Sequence, residues 1–176
     1  MKPPVFKRDI VLAVHPSATG MGWTAFEGPL SVYDWGVFTA KIDKNAKCLA
    51  KLDKLLRRFE PQALILEVFD TRSLKRACRV RRLCREMIEL AALRGAHVEL
   101  YGRDEIAAGF SHVGAATRRD IAAAVTSVVE GFEHRLPPPR RAWMSEDPRM
   151  ALFNAAALAL THYRLQSDLA LRDKRR

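Results

Sequence analysis

Long apolar runs are missing from this chain. No stretch approaches the roughly 18 consecutive apolar residues of a membrane-spanning helix, and no apolar signal-peptide segment follows Met1. Cysteine is scarce. Cys48, Cys78 and Cys84 are odd in number, and Cys78 and Cys84 stand too far apart for a zinc knuckle, with no His-x-x-x-His behind them. They read as reduced, half-buried thiols of a soluble, intracellular protein. Acid is also short: 20 Asp+Glu face 30 Lys+Arg, a formal net charge of +10. An excess of that size points to a polyanionic partner, nucleic acid ahead of an anionic membrane.

What is present describes an α/β domain. At 176 residues, 48% of them hydrophobic, the chain is most simply one domain with a real core. Residues 1–8 read as a basic lead-in. Ile10–Val14 is a buried-strand run ending at His15 and Pro16, and Ser17–Gly20 is turn chemistry. Gly22–Phe26 and Ser31–Phe38 read as two more strands, giving an antiparallel meander. Leu49, Leu52, Leu55 and Leu56 form one stripe of a helix over Lys44–Phe59, closed by Pro61. Ala63–Leu66 is a short apolar run that reads as a strand buried on both faces, although periodicity alone does not exclude a helix. It ends on Glu67, where open α/β sheets place their sites.

A second helix is expected from about Thr71 to Leu93, stopped by Gly95, and His97–Tyr101 is a fifth strand. One or two helical turns at Arg103–Ala108 and a helix at Ala115–Val129 follow, then a loop over 130–147. Asp147 is expected to cap a last helix, with Pro148 at its first position, running to about Leu165. A basic tail over 168–176 closes the chain. The order βββαβαβ, then helices, predicts a mixed five-stranded sheet flanked by helices on both faces.

The basic charge is clustered. Arg72, Lys75, Arg76, Arg79 and Arg82 recur at helical spacing and share a face, while the neighbouring acids, Glu86 and Glu89, sit at one end. Like charge along a helix repels itself unless an anion lies beside it, as regularly spaced phosphates do. Arg118 and Arg119 add to the patch, and Trp143 beside Arg140 and Arg141 is either half core or a stacking platform for an unpaired base.

Four segments carry a family resemblance: Val11-Leu-Ala-Val-His15-Pro-Ser-Ala-Thr-Gly20-Met-Gly-Trp23, Pro61 to Phe69, Val113 to Ile121, and Asn154-Ala-Ala-Ala-Leu-Ala-Leu-Thr161-His162. In this order, they resemble the RuvC family of Holliday junction resolvases, of the RNase H-like superfamily. The resemblance spans about residues 9 to 164. It implies an RNase H-like fold, DNA as partner, a dimer with self-contact on the helix at 71–93, and Phe69 placed to wedge against a base step. It also implies acidic positions holding Mg²⁺ ions for phosphodiester cleavage. Carried onto this sequence, those catalytic positions are His15, Glu67, Ala151 and Asn154, of which only Glu67 is a carboxylate.

Imidazole, methyl and amide do not neutralise two hard cations. Asp147 lies on the face of Asn154 but roughly 10 Å along the helix axis. Either His15, Glu67 and Asp70 hold one softer ion such as Mn²⁺ or Zn²⁺, or, the preferred reading, His15 is a hydrogen-bond partner of Glu67 in an emptied site. The expectation is therefore a RuvC-like protein that binds branched or duplex DNA, located in the cytoplasm with nucleic acid, without a cofactor and without two-metal nuclease activity. One alternative is an active junction resolvase with an altered Mg²⁺ or Mn²⁺ centre. Another is a scaffold in a phage or other nucleoprotein assembly.

Overall fold

The strand β1 (Val11–Pro16) is buried along its whole length, and the sheet is laid out on either side of it. The computed structural model describes residues 9–68 and 76–174, the side chains of 76 and 77 excepted. To one side of β1 run β2 (Gly20–Gly28) and β3 (Ser31–Thr39), both antiparallel. To the other run β4 (Ala63–Glu67) and β5 (His97–Tyr101), both parallel. The five-stranded order is β3-β2-β1-β4-β5. This is the mixed sheet that the order of the elements predicts.

Period-two alternation decides what each strand gives to each side. Leu12, Val14, Leu64 and Leu66 pack with α1 (Lys44–Phe59) and α2 (Arg76–Leu93). Val11, Ala13, Ala63 and Ile65 pack on the opposite face. There they meet α3 (Arg103–Phe110), α4 (Arg118–Val128) and α5 (Met150–Asp173). Fully burying a side chain such as Leu64 or Ile65 contributes about 1.5–3 kcal/mol, and the uninterrupted apolar run of β4 does so on both faces. The same parity sends His15 and Glu67 toward the α5 face. They emerge side by side, because Val14 pairs with Leu66 one residue earlier.

The helix α5 is the inner member of its layer. Met150 to Ala159 are all buried, and alanines at 155, 156, 157 and 159 let the backbone lie close to the sheet. Gly22, the β2 partner of His15, makes the approach possible: a Cβ there would stand 2.1 Å from the carbonyl carbon of Ala151. The first turn of α5 is thus pressed against the end of the β1–β2 hairpin.

Three expected boundaries move. The last helix begins at Met150, with Arg149 as its N-cap, instead of at Pro148. Asp147 serves the turn just before it, accepting from the Arg149 backbone N–H at 2.9 Å. The helix continues through Asp173, so most of the expected basic tail is helical; its exposed last turns pack on nothing that periodicity could register. The helix expected from Ala115 starts at Arg118, because Thr117 and Asp120 form a capping box. The 130–147 connection also holds a short 3-10 turn, Glu133–Arg135.

Candidate functional site

Glu67 ends β4 with its side chain only 4% exposed. Burial pushes a carboxyl up, yet this one is held below its ordinary range. His15 and the guanidinium charges of Arg118 and Arg103 outweigh the desolvation. His15 Nδ1 lies 3.2 Å from Glu67 Oε2. Arg118 Nη2 donates to the other oxygen, Oε1, at 3.0 Å. Both oxygens of the carboxylate are therefore already faced by nitrogen.

Arg118 reaches Glu67 from the first position of α4, which the Thr117 cap fixes. Arg103 comes from the first position of α3, two residues beyond Tyr101, the register partner of Glu67 on β5. Burial and the neighbouring Arg118 charge lower the Arg103 pKa, while Glu67 supports its cationic form. Sequence reasoning missed Arg103. The signal was available: β5 runs parallel to β4, so a residue just past its end must stand near Glu67.

On the other side of His15 the site opens. A cleft of about 620 Å³ is lined by His15, Ala151, Asn154, Arg140, Trp143 and the Ser17–Thr19 turn, among others. Glu67 is not in its lining. Ala151 and Asn154 share a face of α5 at i and i+3, as expected from their spacing. Asn154 is 8% exposed, and its amide has no hydrogen-bond partner among the described residues. Trp143 is 77% exposed, so the half-core reading of it is corrected. The Arg141 guanidinium lies over its ring, 5.3 Å from the centroid.

The remaining basic candidates divide by what they touch. Arg79 is turned inward: its Nη1 donates to Asn45 Oδ1 at 2.7 Å and its Nη2 to the Ser17 carbonyl at 2.6 Å. It fastens α2 to α1 and to the hairpin turn. Arg82 is exposed and pairs with Glu86 at 3.0 Å, so it is not uncompensated as its surroundings in the sequence imply. Arg119 donates to the Pro137 carbonyl and so anchors the segment that carries Trp143. Phe69, Asp70, Arg72 and Lys75, and the side chain of Arg76, lie outside the described residues.

His112 and His162, without obvious partners in the sequence, both have one. His112 Nδ1 faces Arg164 at 2.9 Å, and buried His162 Nδ1 faces the Tyr101 hydroxyl at 2.8 Å. The latter contact ties α5 to β5. Burial lowers the His162 pKa and pushes the Tyr101 phenol up to about 12.

No three His, Cys, Asp or Glu side chains among the described residues are grouped to hold a metal ion. The set proposed from sequence is represented by His15 and Glu67 alone. No helix among the described residues is long and apolar enough to cross a membrane.

No family model and no curated protein matches the chain. Solved structures do. RuvC of T. thermophilus in complex with a Holliday junction substrate superposes with a TM-score of 0.67 at 23% identity, covering 87% of this chain and 92% of that one. A Thermus thermophilus RuvC structure superposes with a TM-score of 0.63 at 20% identity, covering 90% and 96%. At such identities the likeness establishes the fold: a RuvC-like, RNase H-like mixed five-stranded sheet with flanking helices.

Proposed function

We propose that this chain binds branched or duplex DNA through its phosphates and does not cleave it by a two-metal mechanism. The observation that carries the reading is the 3.0 Å ion pair between Arg118 and Glu67. Two hard divalent ions need several anionic oxygens around them. Among the described residues the site offers one carboxylate, and a guanidinium already faces one of its oxygens. The other positions at which the resemblance implies acids hold an imidazole, a methyl group and an amide. The donor set does not fit a metal pair, so no cleavage step is derived from it.

What the residues do instead is supply fixed positive charge. Arg118 and Arg103 converge where strand, helix and sheet end meet, and each keeps donors beyond those turned to Glu67. A guanidinium presents several N–H groups in one plane and suits phosphate oxygens. Glu67 orients Arg118 and limits its reach. Arg85, exposed on α2, extends the positive surface. The formal charge of +10 supports a polyanionic partner, and so does the fold shared with a protein solved on a Holliday junction substrate.

The test is binding to a labelled four-way junction and to a matched duplex, in EDTA and in Mg²⁺ or Mn²⁺, across a salt series. The expected result is binding that survives EDTA and falls linearly in log–log form as salt rises, with no product strand in either divalent ion. Nicking that depends on a divalent ion and disappears in Glu67→Gln would reverse the conclusion and establish the active-enzyme alternative. Binding indifferent to salt would remove the phosphate reading altogether.

A further inference from the structure

We propose that the cleft beside His15 receives one unpaired nucleobase, stacked on Trp143 and hydrogen-bonded by the Asn154 amide. This deepens the DNA-binding reading and rests on it.

Three observations converge on one ligand chemistry. The first is Asn154. Its amide opens on the cleft instead of being sealed in the core, and no protein group among the described residues holds it. The Asn154 side chain is more than nine-tenths buried, has no hydrogen-bond partner among the described residues and lines the cleft. Its adjacent donor and acceptor match a ligand edge carrying an acceptor beside a donor, which is what adenine presents at N7 and N6.

The second is Trp143. Exposing an indole to this degree forgoes a large burial gain, and the ring lies in the lining of the same cleft. Arg141 covers one face of it. A planar heterocycle on the opposite face would complete a guanidinium–indole–base stack. Arg119 holds the approach to this segment through the Pro137 carbonyl, so the platform is tethered to α4.

The third is charge. The cleft is lined by Glu146 and Asp147 as well as by Arg140. Asp147 is neutralised by the Arg149 guanidinium at 2.7 Å, which also holds its carboxyl below the usual range. Glu146 is exposed. With Asp147 paired and Glu146 set against Arg140, the lining carries little net charge and suits a neutral base. The phosphates belong instead with Arg118 and Arg103, which do not line the cleft. A volume of about 620 Å³ is within the range of small-molecule sites and has room for a nucleoside.

Three duplexes of one sequence test this: fully paired, with a single bulged adenine, and with an abasic residue at the bulge. Affinity and tryptophan emission are read together. Trp23 is 5% exposed and Trp35 is half-buried, so quenching on binding reports mainly Trp143. The expected result is an adenine bulge bound about tenfold tighter than the abasic bulge or the paired duplex, with quenching for the adenine bulge alone. In Trp143→Ala the ratio collapses toward one; Trp143→Phe retains part of it; Asn154→Ala lowers it with quenching still present. Equal affinity for all three duplexes overturns the pocket and leaves the phosphate reading standing. So does an adenine preference that persists in Trp143→Ala. Absence of binding to every duplex overturns both.

Discussion

Glu67 and Asn154 stand at similar depth, 4% and 8% exposed, on either side of His15, yet their surroundings are opposite. The Glu67 side is closed: an imidazole and a guanidinium face its two oxygens, and a second guanidinium stands near. The Asn154 side is open, with an amide of unmet hydrogen-bonding capacity, a bare indole and a cleft between them. Among the described residues, the closed side gathers guanidinium charge around one carboxylate, and the open side sets a neutral amide against a space of ligand size.

Gly22 holds the two sides at their spacing, and changing it should break the comparison outright. It pairs with His15 and has the Ala151 backbone where a Cβ would go. Backbone on both sides of the clash leaves no flexible atom to yield. Gly22→Ala is expected to cost about 3 kcal/mol, read as a lowered midpoint in urea with an unchanged slope. It should also blunt both the salt-dependent binding and the adenine preference. A variant as stable as the wild type would mean that α5 does not press on the hairpin as described.

Glu67→Gln should disturb the closed side alone. The buried carboxylate loses its charge, and Arg118 and Arg103 lose the group that keeps them together. Hydrogen bonds to charged groups contribute about 1.5–3 kcal/mol, but Arg118 is 35% exposed and water screens it, so about 1 kcal/mol is expected. Because the folded-state carboxyl is depressed, its contribution is present above the unfolded value near 4.3 and is lost as pH falls through the lower folded value. The wild type should lose stability relative to Glu67→Gln as pH falls below the unfolded value, measured by chemical denaturation at each pH. DNA binding should tighten, since a negative charge has gone and two arginines are released. Parallel acid profiles for the two proteins would contradict the depressed carboxyl.

Arg118→Ala sharpens the contrast from the other direction. Affinity should fall for paired, bulged and abasic duplexes alike, and the log–log salt slope should shrink by roughly one. The ratio between adenine and abasic bulges should stay as it was, because Arg118 does not line the cleft. A change in that ratio would merge the two sides into one site.

The frame of this site was legible in the sequence, and its electrostatics were not. Pro61, the short apolar run after it and the terminal Glu67 bound β4, and the order of the elements around it favours a strand over a helix. The stripe of Leu52, Leu55 and Leu56 marks α1 to both of its ends. The spacing of Ala151 and Asn154 placed them on one helix face. The Arg118–Glu67 contact spans 51 residues and depends on where a capping box starts a helix, which no periodicity encodes. Arg79 looked like one more cation on a basic face, and it became a structural clamp because Asn45 and the Ser17 carbonyl happen to lie opposite. The exposure of Trp143 was equally hidden, since a loop has no repeating face from which burial can be read.

The smallest expected effect on stability belongs to Asn154→Ala, and that smallness is the point. Removing a residue as buried as Glu67 would ordinarily weaken a fold. Here the amide has no hydrogen-bond partner among the described residues and opens on the cleft, so no protein bond is broken. The lost packing of the side chain is offset by alanine being the better helix former by a few tenths of a kcal/mol. The net change should lie within about 1 kcal/mol of zero, on either side, by thermal or urea unfolding. A loss of about 3 kcal/mol or more, the scale of a broken buried network, would show that Asn154 holds the fold together. The open side would then be structural, like Arg79, and no longer a place kept for a ligand.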